Sequence, residues 1–159
     1  MGHITIEYMI MIPVLILQIF LFPFLASAIM NTYTESRMTL ELSETAGHLG
    51  SFMQQIYFSL SDVSIATGTI KINLNTPAFI ENHPYAIVLH NATSPGANSK
   101  IMNITLSFIG TKGSSSTLVT LGENADWQNN SRFLSNSTSP VICASRTSGL
   151  IHLSFEGGN

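Results

Sequence analysis

Charge is scarce in this chain of 159 residues: six Lys and Arg and nine Asp and Glu make up only 9% of it, and no Lys or Arg precedes Arg37. That count excludes a basic nucleic-acid footprint and a polybasic patch for a membrane surface, so no nucleic-acid partner is expected. Cysteine is almost missing. Cys143 alone closes no intrachain disulfide, so a folded domain must rely on packing or on its neighbours. Within Val141-Ile142-Cys143-Ala144 it reads as a buried small apolar residue rather than a reactive thiol. The motifs of common chemistries are also lacking: there is no Gly-rich phosphate loop, no Gly-X-Ser-X-Gly elbow and no suggestive carboxylate pair. The five histidines show no ligand spacing on one helix and have no thiol partner. Neither a metal nor a cofactor is expected, and an enzyme is not the favoured reading.

What the chain has in abundance is an uncharged apolar run, Tyr8 to Met30, entered through the carboxylate of Glu7. Its 23 residues would extend about 34 Å as a helix, enough to cross a hydrocarbon core of about 30 Å. A cleaved secretory signal fits less well. Ala26-Ser27-Ala28 mimics a cleavage site, but no basic region precedes the run, which is long for such a segment. Glu7 would cost about 2.5–3.5 kcal/mol at the centre of a bilayer. Placed one turn into the helix it reaches the interface, where the helix N-terminus favours a negative charge by about 0.3–1 kcal/mol.

The helical pattern does not stop at Met30. Met38, Leu42, Ala46, Leu49, Met53, Ile56 and Leu60 recur at steps of three and four, while Glu35, Arg37, Glu41, Glu44 and Gln54 fall elsewhere. One helix is therefore expected from about Ile4 to Ser61, roughly 85 Å long. Pro13 and Pro23 should kink it, each removing an amide and freeing the carbonyls of Met9 and Ile19. Gly47 and Gly50 weaken its second half by about 1 kcal/mol each, or permit close packing there.

From Gly68 the period changes to two. Ile70, Ile72 and Leu74 alternate with polar residues, as do Met102, Ile104, Leu106 and Phe108; Tyr85 to Leu89, Ser116 to Leu121, Pro140 to Ala144 and Leu150 to Phe155 complete about six strands. Turn-rich pieces such as Ser94-Pro95-Gly96, Gly110-Thr111-Lys112-Gly113 and Thr147-Ser148-Gly149 separate them. Asn124 to Ser139 reads as a loop anchored by a buried Trp127. The expected fold class is α+β: a long N-terminal α-helix, hydrophobic in its first half, followed by a C-terminal antiparallel β-domain with the helix against one face. The boundaries are 1–2 for a leader or its remnant, 3–62 for the helix (about 4–30 and 31–62) and 68–159 for the β head.

Four Asn-X-Ser/Thr sequons, at Asn91, Asn103, Asn129 and Asn136, all lie beyond the N-terminal segment. Composition alone would give roughly two or three, so their value lies in their position. Asn103, between Met102 and Ile104, should point outward from its strand. N-linked glycans there would place the head outside the cell.

The first residues resemble those of archaeal type IV pilins with a class III signal peptide. Cleavage between Gly2 and His3 would make Glu7 the fifth residue of the mature chain, where that family carries its glutamate. His3, Thr5, Glu7 and Met11 stand at the family's polar, small, acidic and aliphatic positions. Members normally carry several Lys or Arg before the final Gly, whereas here Met1-Gly2 alone precede His3. The resemblance implies a prepilin peptidase acting at Gly2 and His3, and a Glu7 carboxylate that pairs with the free amine of His3 on a neighbouring subunit. A pairing of the two within one chain is the competing possibility, since they lie four residues apart. It further implies a precursor in the cytoplasmic membrane, pilus assembly machinery, and a homopolymer of identical subunits: an extracellular filament on the cell surface, suited to adhesion. A minor pilin and a non-polymerising, membrane-anchored surface β-domain that binds a protein or glycan are the alternatives.

Overall fold

The computed structural model describes residues 3–92, 100–128 and 130–156, with the side chains of 3–7 left aside. The chain has an α+β fold, with one long helix, α1 (His3–Ser61), and then eight strands among the described residues. It divides into two compact units, Met1–Arg37 and Met38–Asn159. Among the described residues the first contributes only helix, and the second takes the remainder of α1 and every described strand.

In the second unit, all seven residues of the expected helical stripe, Met38, Leu42, Ala46, Leu49, Met53, Ile56 and Leu60, are buried in one core with the strands. Positions three and four apart share a helix face, so the stripe meets the sheets as a continuous seam. Gly50 lies where a Cβ would stand 3.1 Å from the Cγ2 methyls of Thr117 and Val119, and Gly122 leaves room for the Tyr57 hydroxyl, which donates to Asn124 Oδ1 at 2.6 Å. Close approach, not turn geometry, is the use of these two glycines.

The strands are β1 (Gly68–Asn73), β2 (Tyr85–Asn91), β3 (Lys100–Phe108), β4 (Ser114–Leu121), β5 (Ala125–Trp127), β6 (Arg132–Leu134), β7 (Val141–Thr147) and β8 (Leu150–Glu156). They form two four-stranded sheets in the orders β1-β7-β8-β5 and β4-β3-β2-β6. The expectation of about six strands falls short by β5 and β6. Both lie inside the segment read as a loop, and with three residues each they are too short to show a period. β5 also pairs in parallel with β8, the one departure from an otherwise antiparallel domain among the described strands. Trp127 is buried, as expected of an anchor, but its anchorage is a strand.

Alternation is clearest in β3, where Met102, Ile104, Leu106 and Phe108 are buried between half-exposed Asn103, Thr105 and Ser107. Tyr85 is fully buried; its hydroxyl donates to the Pro77 carbonyl (2.7 Å), and its amide donates to Ser135 Oγ, which in turn donates to the Ala78 carbonyl. These bonds tie the β1–β2 connection to β6, and burial pushes the Tyr85 phenol pKa up. The β7–β8 hairpin turns on Ser148 (φ 53°) and Gly149 (φ 84°), the two positive φ values that a tight hairpin with right-handed strand twist demands.

The C-terminus of α1 carries no basic residue in its last turn, yet its carbonyls are not left bare. Arg146 Nη1, from β7, donates to the carbonyls of Leu60 (2.7 Å) and Asp62 (2.6 Å), placing a cation at the negative end of the helix. Asp62 accepts the amide and hydroxyl of Ser64, and these bonds, with Arg146 nearby, hold its carboxyl below the usual range.

Candidate functional site

The feature that the fold leaves open is the first unit. Every residue from Tyr8 to Arg37 is exposed, and 17 large apolar side chains between Tyr8 and Met30 keep 46–79% of their surface. A helix that is apolar all round belongs inside protein or lipid. The helix is long and apolar enough to cross a membrane. It runs unbroken through Pro13 and Pro23, so the carbonyls of Met9 and Ile19 lack their helical amide donors. Pro13, Ile16, Leu17, Phe20, Leu21 and Phe24 line a shallow apolar groove along one face. Polar side chains return past Met30, where the hydroxyls of Thr32 and Thr34 donate to the carbonyls of Ala28 and Met30.

Of the residues assigned to processing and assembly, His3 opens α1 and Glu7 lies in its second turn; their side chains, and Gly2 altogether, lie outside the described residues. The sequons are dispersed. Asn91 is exposed at the end of β2, and Asn136 is exposed in the turn after β6. Asn129 lies outside the described residues. Asn103 does face away from the core, but it is only half-exposed, opposite His90 and Leu118, and its Oδ1 is enclosed without a hydrogen-bond partner. As an acceptor for a glycan it is the most hindered of the three described.

In the second unit the polar clusters are small. Lys71 Nζ donates to Glu156 Oε2 at 2.8 Å, which lowers the carboxyl pKa and raises that of the amine. Cys143 stands beside this pair, half-buried on the outer side of β7 rather than in the core, because β7 buries Ile142 and Ala144 on its other face. Burial raises its pKa, which disfavours the nucleophilic thiolate. His152 Nδ1 lies 3.2 Å from Asp126 Oδ2, and His48 lies 3.8 Å from Glu44. Among the described residues no three His, Cys, Asp or Glu gather as a metal site would require. A cavity of about 280 Å³, lined by His48, Leu49, Phe52 and Asn73 to Thr76, is an open groove with one titratable side chain.

Comparison with family models, curated proteins and solved structures finds no match to this chain.

Sequence reasoning missed the Arg146 cap, which has no local signal because 84 residues separate it from Asp62. It also passed over Gln18. That residue carries the one amide, hydroxyl or charged side chain from Met9 to Ala26, and could have been found by asking which side chain in the run needs a hydrogen bond.

Proposed function

We propose that this chain is a subunit of a type IV pilus-like filament of the archaeal kind. The observation that carries the reading is the unbroken exposure of Tyr8 to Arg37 on a helix whose next 24 residues, Met38–Ser61, belong to a packed β-domain. Such a chain needs an apolar environment for one part and a watery one for the other.

The mechanism is polymerisation. Precursors held in the membrane by Tyr8–Met30 are trimmed between Gly2 and His3, and their helices pass from lipid into a bundle of identical helices. Lipid is already apolar, so the transfer gains little hydrophobic energy; van der Waals packing and the pairing of Glu7 with a neighbour's His3 amine favour the ordered state. The β-domain forms the outer layer, with Asn91 and Asn136 the accessible glycan acceptors, and its role is adhesive rather than catalytic. The same exposed helix would equally serve a non-polymerising surface protein, anchoring its β-domain to the membrane.

Mass spectrometry of the N-terminus, on particles sheared from intact cells and pelleted, separates the two. Chains beginning at His3 in that fraction are expected. Chains retaining Gly2, recovered only from detergent-solubilised membranes, would replace the filament with the anchored β-domain.

A further inference from the structure

Gln18 stands one residue from Ile19, the midpoint of Tyr8–Met30, so a helix spanning a bilayer places its Cα within about 1.5 Å, along the axis, of the centre of the apolar segment and its carboxamide well inside that segment. It is exposed, and its side chain has no hydrogen-bond partner among the described residues. The hydroxyls of Thr32 and Thr34, further along the helix, donate to their own backbone and are not offered to Gln18. Hydrocarbon offers Gln18 neither donor nor acceptor, and an unpaired amide there is costly.

We propose that two copies of this chain pair side by side in the membrane through a reciprocal Gln18–Gln18 hydrogen bond. Copies inserted with one topology lie parallel and at one depth, which brings each Gln18 level with its counterpart. Each carboxamide donates an N–H to the other's oxygen and accepts one in return. Spacing of three and four puts Val14, Leu15, Leu21 and Phe22 around Gln18 on the contact face. Membrane helices that approach closely use small residues, and this face has none; the long Gln side chain bridges the wider gap. The contact face is small and lipid is as apolar as the facing helix, so the carboxamide pair and not buried area selects the partner.

The pair precedes polymerisation and depends only on the helix lying in a bilayer, so it can stand or fall apart from the filament. The test is Förster transfer between full-length chains labelled at their C-termini in phosphatidylcholine vesicles, titrated by protein-to-lipid ratio. The expected result is dimerisation that weakens roughly 3- to 15-fold in Gln18→Met, which keeps length but removes the amide, and is unchanged in Leu17→Met. Circular dichroism of Gln18→Met should give unaltered helicity, which separates lost pairing from lost folding. A wild-type chain that stays monomeric, or a Gln18→Met chain that pairs as well as wild type, would overturn the proposal. The pelleting of chains that begin at His3 would be unaffected by either outcome.

Discussion

Residues Tyr8–Arg37 and Met38–Ser61 belong to one α-helix and dispose of apolar side chains in opposite ways. The later part gathers most of them in one stripe and buries it in the β-domain's core, leaving Leu40 and Phe58 exposed. The earlier part carries them on every face and buries none. Both parts are helical despite Pro13 and Pro23 in the earlier one and Gly47 and Gly50 in the later, and they differ in what each must face: a stripe specifies a partner within the chain, whereas all-round apolarity requires an environment. The described residues thus cover the later part and leave the earlier part uncovered.

The largest expected effect separates the two parts directly. Leu42 is fully buried and Leu17 is 62% exposed. Leu42→Ala should lower the unfolding free energy of the second unit by about 2–5 kcal/mol, while Leu17→Ala should leave it unchanged, as read by denaturant titration of the full chain in detergent. Next comes the helix end: Arg146→Ala removes two charge-assisted bonds to the Leu60 and Asp62 carbonyls and should cost about 1.5–3 kcal/mol in the same titration. Smaller is the contrast between two glycines of the later part. A Cβ on Gly47 meets nothing within 4 Å, so Gly47→Ala should stabilise by about 0.8–1 kcal/mol through helix propensity. At Gly50 the methyls of Thr117 and Val119 oppose that gain, and Gly50→Ala should be neutral or destabilising.

The smallest effect is that of pH. The carboxyls of Asp62 and Glu156 sit below their ordinary values of 3.8 and 4.5, held there chiefly by bonds from Ser64 and Lys71. A depressed carboxyl stabilises the fold above its unfolded value, so stability should be flat through neutral pH and decline as pH falls through the lowered values. Lys71 mirrors this in alkali. Its raised pKa means the contribution is whole below its ordinary 10.5 and fades as pH rises beyond. Thermal melts across pH would check both ends, and a Glu156→Gln variant should remove the Lys71 part of the response.

How much of this could be read in advance depended on the length of each periodic signal. The helical stripe from Met38 to Leu60 and the alternation from Met102 to Phe108 were legible because each repeats several times and buries one face. β5 and β6 were not legible, having three residues each; Trp127 and Phe133 are buried there by sheet pairing that no local pattern announces. The division into two sheets and the parallel β5–β8 pair depend on contacts distant in sequence. So does the position of Cys143, whose outward side of β7 is set by the register with Lys71 and Ser154. The Asn103 sequon was placed on the correct face, but the enclosure of its Oδ1 follows from its neighbours on β2 and β4.

The methionines offer a comparison inside one molecule. Met53 and Met102 are fully buried within the second unit, while Met9 and Met11 are 79% and 63% exposed. Methionine oxidation in lipid-free particles sheared from cells would read all four at once. If identical helices cover Tyr8–Met30, Met9 and Met11 should resist oxidation as well as Met53 and Met102 do. Rapid oxidation of Met9 and Met11 beside protected Met53 and Met102 would contradict a helix covered by further copies of the chain.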